Sequence, residues 1–200
     1  MNQLVELGEV TVNWGIFSLE MNNTKKESIE DAAEFRAFRV MRTVMAVRAK
    51  EGNDAVGRFY AAVGRRTWDD IQSVKDEDVL KAALADAGLE PGLYDLAMSD
   101  PSTWEQVVTE HHELVAGTRT FGVPSITLDG GSGPCAFGPV ISHAPKSDEE
   151  ARELWQATKT LIKYENFSEL KRERVEPPDL EASRERARRA AAEAAATAKA

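Results

Sequence analysis

The hydrophobic pattern of this chain changes its period twice, and this constrains the fold more than any single motif. The β-branched and aromatic stretch Val10–Phe17 predicts one strand. From Ser28 to Thr118 apolar residues recur every three or four positions, which predicts a run of helices. Short strands at Ser125–Leu128 and Cys135–Phe137 follow. The order strand, helices, hairpin, helix predicts a split α/β domain that carries a helical insertion.

Serine residues followed by an acid three positions later mark the predicted helix starts. Ser28 opens a helix that we expect to run to Gly52, and Ser102 opens another. The apolar face of the first of these helices carries four large side chains, namely Phe35, Phe38, Met41 and Met45. We interpret this face as core between helices; the alternative is a groove wall for an apolar substrate.

The C-terminal third begins with a turn and ends in a low-complexity tail. The stretch Asp129–Gly133 has the composition of a hairpin loop, and Ser147 caps a last core helix. Pro177 and Pro178 are predicted to end the ordered structure. Residues 182–200 have helix propensity but no apolar stripe, which predicts a disordered segment or a frayed helix.

Composition excludes several classes of protein. A net charge of −9 argues against a nucleic-acid binder, which needs a basic face. No apolar run approaches the roughly 20 residues that span a bilayer. The first twenty residues carry Glu6, Glu9 and Glu20 but no Lys or Arg, which is not the pattern of a signal peptide. We therefore predict a cytoplasmic protein with no membrane partner.

Few residues are candidates for chemistry. Cys135 is the chain's one cysteine, and its place in a strand favours a small buried hydrophobe over a reactive nucleophile. His111 and His112 lie in mid-helix, where one buried and one exposed ring are expected, and His143 is isolated in sequence. No Cys or His cluster has zinc spacing, so no metal site is predicted.

Three segments together resemble a known family. They are Gly122–Ser125 leading into a strand, Phe137–Val140 ending the returning strand, and Phe167–Pro178 near the C-terminus. The combination resembles DsbA-family thioredoxin-like proteins, and in particular the actinobacterial oxidoreductases that use mycothiol, including mycothiol-dependent nitroreductases. The similarity covers roughly residues 1–178.

The resemblance implies a DsbA-type thioredoxin-like fold in the α/β class. Residues 1–27 and 119–178 would form the thioredoxin-like domain, 28–118 the helical insertion, and 179–200 the tail. It implies a cis proline at Pro124, with the backbone of Val123 turned outward to bind substrate. The implied substrate is a small-molecule thiol or disulfide. Mycothiol or a similar thiol would be the co-substrate, with no bound cofactor.

The chain departs from that family at the reactive centre. The family's Cys-x-x-Cys precedes the strand that aligns with Val10–Phe17, and this chain has no such pair. Met1–Leu7 resembles the end of the family's first long helix. The family's first strand and active-site turn would then be missing, which implies an N-terminally truncated chain with no catalytic residue. We expect such a chain to be poorly soluble or partly folded, because an unpaired strand edge favours aggregation.

Three interpretations therefore remain open from the sequence. The chain belongs to a reductase lineage and lacks its nucleophile, or it is a non-catalytic binding module, or it is a fragment without function. The oligomeric state is not predicted.

Overall fold

Helices form most of the computed structural model, which describes residues 1–197, with side chains through 192. These residues form the helices α1 Asn2–Glu6, α2 Leu19–Thr24, α3 Ile29–Ala32, α4 Phe38–Glu51, α5 Asn53–Trp68, α6 Glu77–Asp86, α7 Leu93–Ser99, α8 Ser102–Thr118, α9 Asp148–Lys163 and α10 Glu181–Thr197. Two short strands, β1 Ser125–Thr127 and β2 Cys135–Phe137, and a 3-10 turn between them at Asp129–Gly131 complete the described elements.

The main core lies among the helices between α3 and α8. Helix α4 packs against α5, α7 and α8, and α6 packs against α5 and α7. The four-residue apolar face predicted from the sequence is buried there, so its interpretation as core is confirmed. Aromatic packing supports it, since the ring centroids of Phe38 and Trp104 are 5.1 Å apart.

The strand predicted at Val10–Phe17 is wrong for this structure. The segment makes no strand pairing among residues 1–197. A strand needs the backbone of a neighbour, whereas this segment hydrogen-bonds to side chains of the helices. Alternate N–H groups are donors: Trp14 to Asn53 Oδ1 at 2.8 Å, Ile16 to Glu110 Oε1 at 2.9 Å, and Ser18 to His111 Nδ1 at 3.2 Å.

The hairpin predicted near residue 130 is present. Strands β1 and β2 pair antiparallel, with Ser125 opposite Phe137 and Thr127 opposite Cys135. The connection turns at Asp129 and Gly130, which both have positive φ, of 52° and 67°. Aspartate and glycine reach this region more readily than most residues, so the local sequence suits the turn.

The C-terminal tail is helical through Thr197, contrary to the disordered alternative of the prediction. Arg–Glu pairs three and four residues apart run along α10, as between Arg189 and Glu185 at 2.9 Å, and the helix packs against α5. The prediction that Pro177 and Pro178 end the ordered structure is therefore wrong. The last three residues of the tail, 198–200, lie outside the described part of the chain.

Candidate functional site

Two cis proline bonds flank the hairpin, one before β1 and one after β2. The Val123–Pro124 peptide is cis, as is Gly138–Pro139 just after β2. The two bends contact each other, because Gly138 N–H donates to the carbonyl of Pro124 at 2.8 Å. This hydrogen bond continues the pairing of the hairpin by one residue beyond Ser125 and Phe137.

Two hydroxyl groups hold the other side of the loop before β1. The carbonyl of Gly122 accepts from Ser125 Oγ at 2.7 Å and from Thr120 Oγ1 at 3.2 Å. Thr120 is buried, so its contacts are shielded from water. Serine and threonine commonly close turns in this way.

Val123 is the part of the loop that stays open. The residue is 50% exposed. Neither its backbone N–H nor its C=O takes part in a hydrogen bond within residues 1–197. One donor and one acceptor at the surface can bind the amide groups of an extended ligand, as the edge of a sheet does.

Exposed apolar side chains lie within a few residues of the two cis prolines. Phe121 and Phe137 stack with ring centroids 5.6 Å apart and an interplanar angle of 24°. They are 69% and 47% exposed, and Val140 and Ile141 are about as exposed. We call these four residues together with Val123 the apolar patch. Asp129 is the only charged residue from position 120 to 142, so the patch suits an uncharged or apolar group.

Cys135 lies away from the open loop. It pairs with Thr127, three residues along β1 from Pro124, which corresponds to about 10 Å of strand. Its side chain is half-buried rather than fully buried as expected. The sequence contains no second cysteine with which it could form an intramolecular dithiol.

The two histidines of α8 have the environments predicted for them, one buried and one exposed. His111 is buried while His112 is exposed and lies 3.1 Å from Glu27. Burial lowers the pKa of His111 below its ordinary value, with a smaller contribution from neighbouring His112. The neutral ring then accepts from Ser18 N–H through Nδ1.

His143 is not isolated, contrary to its position in the sequence. Its Nε2 lies 2.8 Å from Glu176, and its Nδ1 lies 3.6 Å from Asp179. These acids are more than thirty residues away in sequence, so spacing alone gave no signal. Among the residues that the structure describes, no group of His, Cys, Asp and Glu side chains has the arrangement of a metal site.

A half-buried ion pair joins α4 to α8. Arg48 Nη1 lies 2.6 Å from Glu110 Oε2, and its Nη2 donates to the carbonyl of Trp14 at 2.8 Å. Since Glu110 also accepts from Ile16, the pair fixes the segment before α2 against the helices. No pattern in the sequence marks these two residues as neighbours.

Comparison with known protein families shows which family the chain belongs to. Residues 1–172 match the family described as Rv2466c-like, mycothiol-dependent nitroreductase Rv2466c. The chain belongs to this family. The match includes the loop at Val123 and Pro124, the apolar patch and most of the helices. Helix α10 lies beyond it.

A relative in Mycobacterium tuberculosis (strain ATCC 25618 / H37Rv) extends the comparison. The uncharacterized protein Rv2286c is 31% identical over 175 residues. The aligned region covers 86% of this chain and 73% of that protein. Membership of the Rv2466c-like family supports a mycothiol-dependent reductase lineage with a small-molecule thiol partner. Within the described residues, no helix is long and apolar enough to cross a membrane.

Proposed function

We propose that this chain binds mycothiol, or a disulfide of mycothiol, at the loop formed by Val123 and Pro124. The observation that carries the proposal is the open backbone of Val123, which lies between the hydrogen-bonded carbonyls of Gly122 and Pro124. One donor and one acceptor side by side can bind polar groups of a small-molecule thiol, as the edge of a sheet binds an extended peptide. The adjoining apolar patch would hold the less polar half of a mixed disulfide.

The proposed fold is a DsbA-type thioredoxin-like domain in two parts. Residues 1–27 and 119–178 would form it, with 28–118 as the helical insertion and 179–200 as a tail. The hairpin with its cis peptide at Pro124 and the long run of helices between α2 and β1 support this assignment. The sheet consists of two strands in the described residues.

The proposed chemistry is limited by the thiols that the chain carries. Disulfide exchange begins with attack by a thiolate, usually one at a helix N-terminus or beside a cation. Cys135 is in a strand and about 10 Å from Pro124 along it. We therefore assign no catalytic residue within these 200 residues. We propose that the chain belongs to the reductase lineage and binds the substrate without carrying out the reaction. A thiol reductant of this kind acts in a reducing compartment, which favours the cytoplasm.

Calorimetric titration with mycothiol disulfide tests the binding. In Val123→Asp a carboxylate would enter the uncharged patch, and we expect the affinity to fall about tenfold or more. Leu96→Asp is the matched control, because Leu96 on α7 is equally exposed, at 52%, and far along the chain from the loop. Equal affinity of the two variants would contradict the proposal.

A non-catalytic binding module is the second candidate, favoured by the single cysteine. Turnover separates both of these binding functions, neither of which includes a catalytic residue, from catalysis by Cys135. If the chain reduces a nitroaromatic compound while mycothiol is oxidised to its disulfide, and Cys135→Ser abolishes this, then Cys135 is a nucleophile and our assignment is wrong. Binding without turnover is the expected result.

A further inference from the structure

The segment between α9 and α10 is held at its two ends and free between them. Phe167 N–H donates to the carbonyl of Tyr164 at 2.9 Å, which fixes the first end. Residues 168–175 form neither helix nor strand and make no hydrogen bond within the described chain. Leu170 and Val175 are 79% and 88% exposed, so nothing covers their apolar side chains. We call residues 168–175 the strap.

The second end of the strap is fastened by a group of polar contacts. Ser142 Oγ donates to the carbonyl of Glu176, and Asp179 N–H donates to the carbonyl of Ser142, both at 2.9 Å. His143 faces the carboxylate of Glu176 with one ring nitrogen and that of Asp179 with the other. Asp179 also pairs with Arg184 of α10. These contacts involve backbone as well as side chains, and we call them the clasp.

The clasp lies directly beside the apolar patch. Ser142 follows Val140 and Ile141, which belong to the patch. The same stretch begins at Gly138, whose N–H donates to Pro124. The strap is therefore fixed at its end within a few residues of the proposed binding loop. Its eight residues can extend about 26–29 Å, several times the 5.6 Å between the ring centroids of Phe121 and Phe137.

We propose that the strap closes over the apolar patch when a ligand occupies the loop at Val123 and Pro124, with the clasp as its fixed end. This rests on the function proposed above. Leu170 and Val175 would then lose contact with water together with Phe121 and Phe137, and burial of apolar surface would favour the closed form. Because the clasp already orders one end of the strap, closure costs less conformational entropy than it would for a free tail.

Trypsin provides a direct readout of closure in the full chain. The strap contains Lys171, Arg172 and Arg174, where trypsin cleaves exposed chain. Cleavage of an open segment follows the population of the open form. We expect saturating mycothiol disulfide to slow cleavage at these three sites by roughly fivefold or more. The double variant Leu170→Ser with Val175→Ser should bind the ligand but lose this protection.

The clasp has its own variant and control. His143→Ala should raise strap cleavage without ligand and reduce protection with it. His112→Ala is the control, since that exposed histidine also pairs with a glutamate, Glu27. It should leave strap cleavage unchanged.

Calorimetry in the same samples separates the two proposals. Ligand binding without strap protection in the unchanged chain would overturn the strap alone. Absence of binding would overturn the binding site and the strap together. Protection that survives the double serine variant would also overturn the strap, because closure would then not depend on its apolar side chains.

Discussion

At the residue scale, side chains of α4, α5 and α8 take the place of a neighbouring strand. Asn53, Glu110 and His111 accept from every second N–H of the segment 14–18. The spacing of two is that of extended backbone, whose successive N–H groups point to opposite edges. The alternation that predicted a strand at Val10–Phe17 thus reflects an extended segment. The sequence did not reveal that the hydrogen-bond acceptors of this segment are side chains far away in the chain.

Glu110 is expected to contribute most to this docking. It forms an ion pair with Arg48 and accepts from Ile16. Arg48 already has a buried Nε without a hydrogen-bond partner among the described residues. Removing the carboxylate in Glu110→Ala leaves the guanidinium less satisfied and should lower the free energy of unfolding by about 2–3 kcal/mol.

Urea denaturation measures this change. Glu113→Ala is the control on the same helix, where the side chain is exposed and the expected effect is within about 0.5 kcal/mol. If the two variants were equally stable, the ion pair would not hold the segment in place.

His111 should make the stability depend on pH. Burial lowers its pKa in the folded protein below the ordinary value of 6.5, whereas the unfolded chain regains that value. The unfolded state therefore binds protons more readily, so the contribution is complete above about pH 6.5 and is lost as the pH falls toward the lower folded pKa. Urea unfolding at pH 7.5 and at pH 5 should show this loss.

A pair of variants isolates the effect of that ring. In His111→Gln the difference in unfolding free energy between the two pH values should be smaller than in the unchanged protein. In His112→Gln it should stay close to the original, since His112 is exposed and does not accept from backbone. A pH dependence that is unaffected by His111→Gln would contradict this assignment.

At the element scale, the sequence predicted the starts of several helices, such as α9 after Ser147, but not the start of α4. The helix expected from Ser28 to Gly52 is two helices, α3 and α4. Between them the carboxylate of Glu20 accepts from Arg36 N–H at 2.8 Å and from Ala37 N–H at 3.3 Å. An acid from α2 thus caps the start of α4, and no local pattern could predict a cap supplied from sixteen residues away.

The packing of Trp14 on α5 gives a test at this scale. A methyl group added at Gly57 would meet Trp14 Nε1 at 2.5 Å, whereas one added at Gly64 in the same helix meets nothing within 4 Å. Gly64→Ala should raise the free energy of unfolding by about 0.5–1 kcal/mol through helix propensity. Gly57→Ala should be less stable than Gly64→Ala by about 1–3 kcal/mol, because Trp14 must move.

Thermal or urea unfolding of the two alanine variants checks this prediction. Because both changes are Gly→Ala inside α5, helix propensity cancels in the comparison. Equal stabilities would show that Trp14 does not pack closely against Gly57.

At the scale of the whole molecule, a well-packed group of helices adjoins a small hairpin with an open apolar surface. Apolar periodicity was sufficient to predict the group of helices, because each helix buries one stripe of apolar side chains. The site was predictable in part: Val123 and Pro124 could be named from a short motif, but the patch around them depends on the stacking of Phe121 and Phe137 across the hairpin. The clasp at His143 depends on a return of the chain after α9 that no spacing rule covers.

Assignment to the Rv2466c-like family gives this surface its proposed ligand, and a nitrogen-15 labelled titration with mycothiol disulfide tests that most directly. We predict that the largest amide shift changes occur at Gly122, Val123 and Ser125, with smaller ones at Phe121 and Phe137. Changes centred on Cys135 or on the segment 14–18, or no change at saturating ligand, would contradict the account.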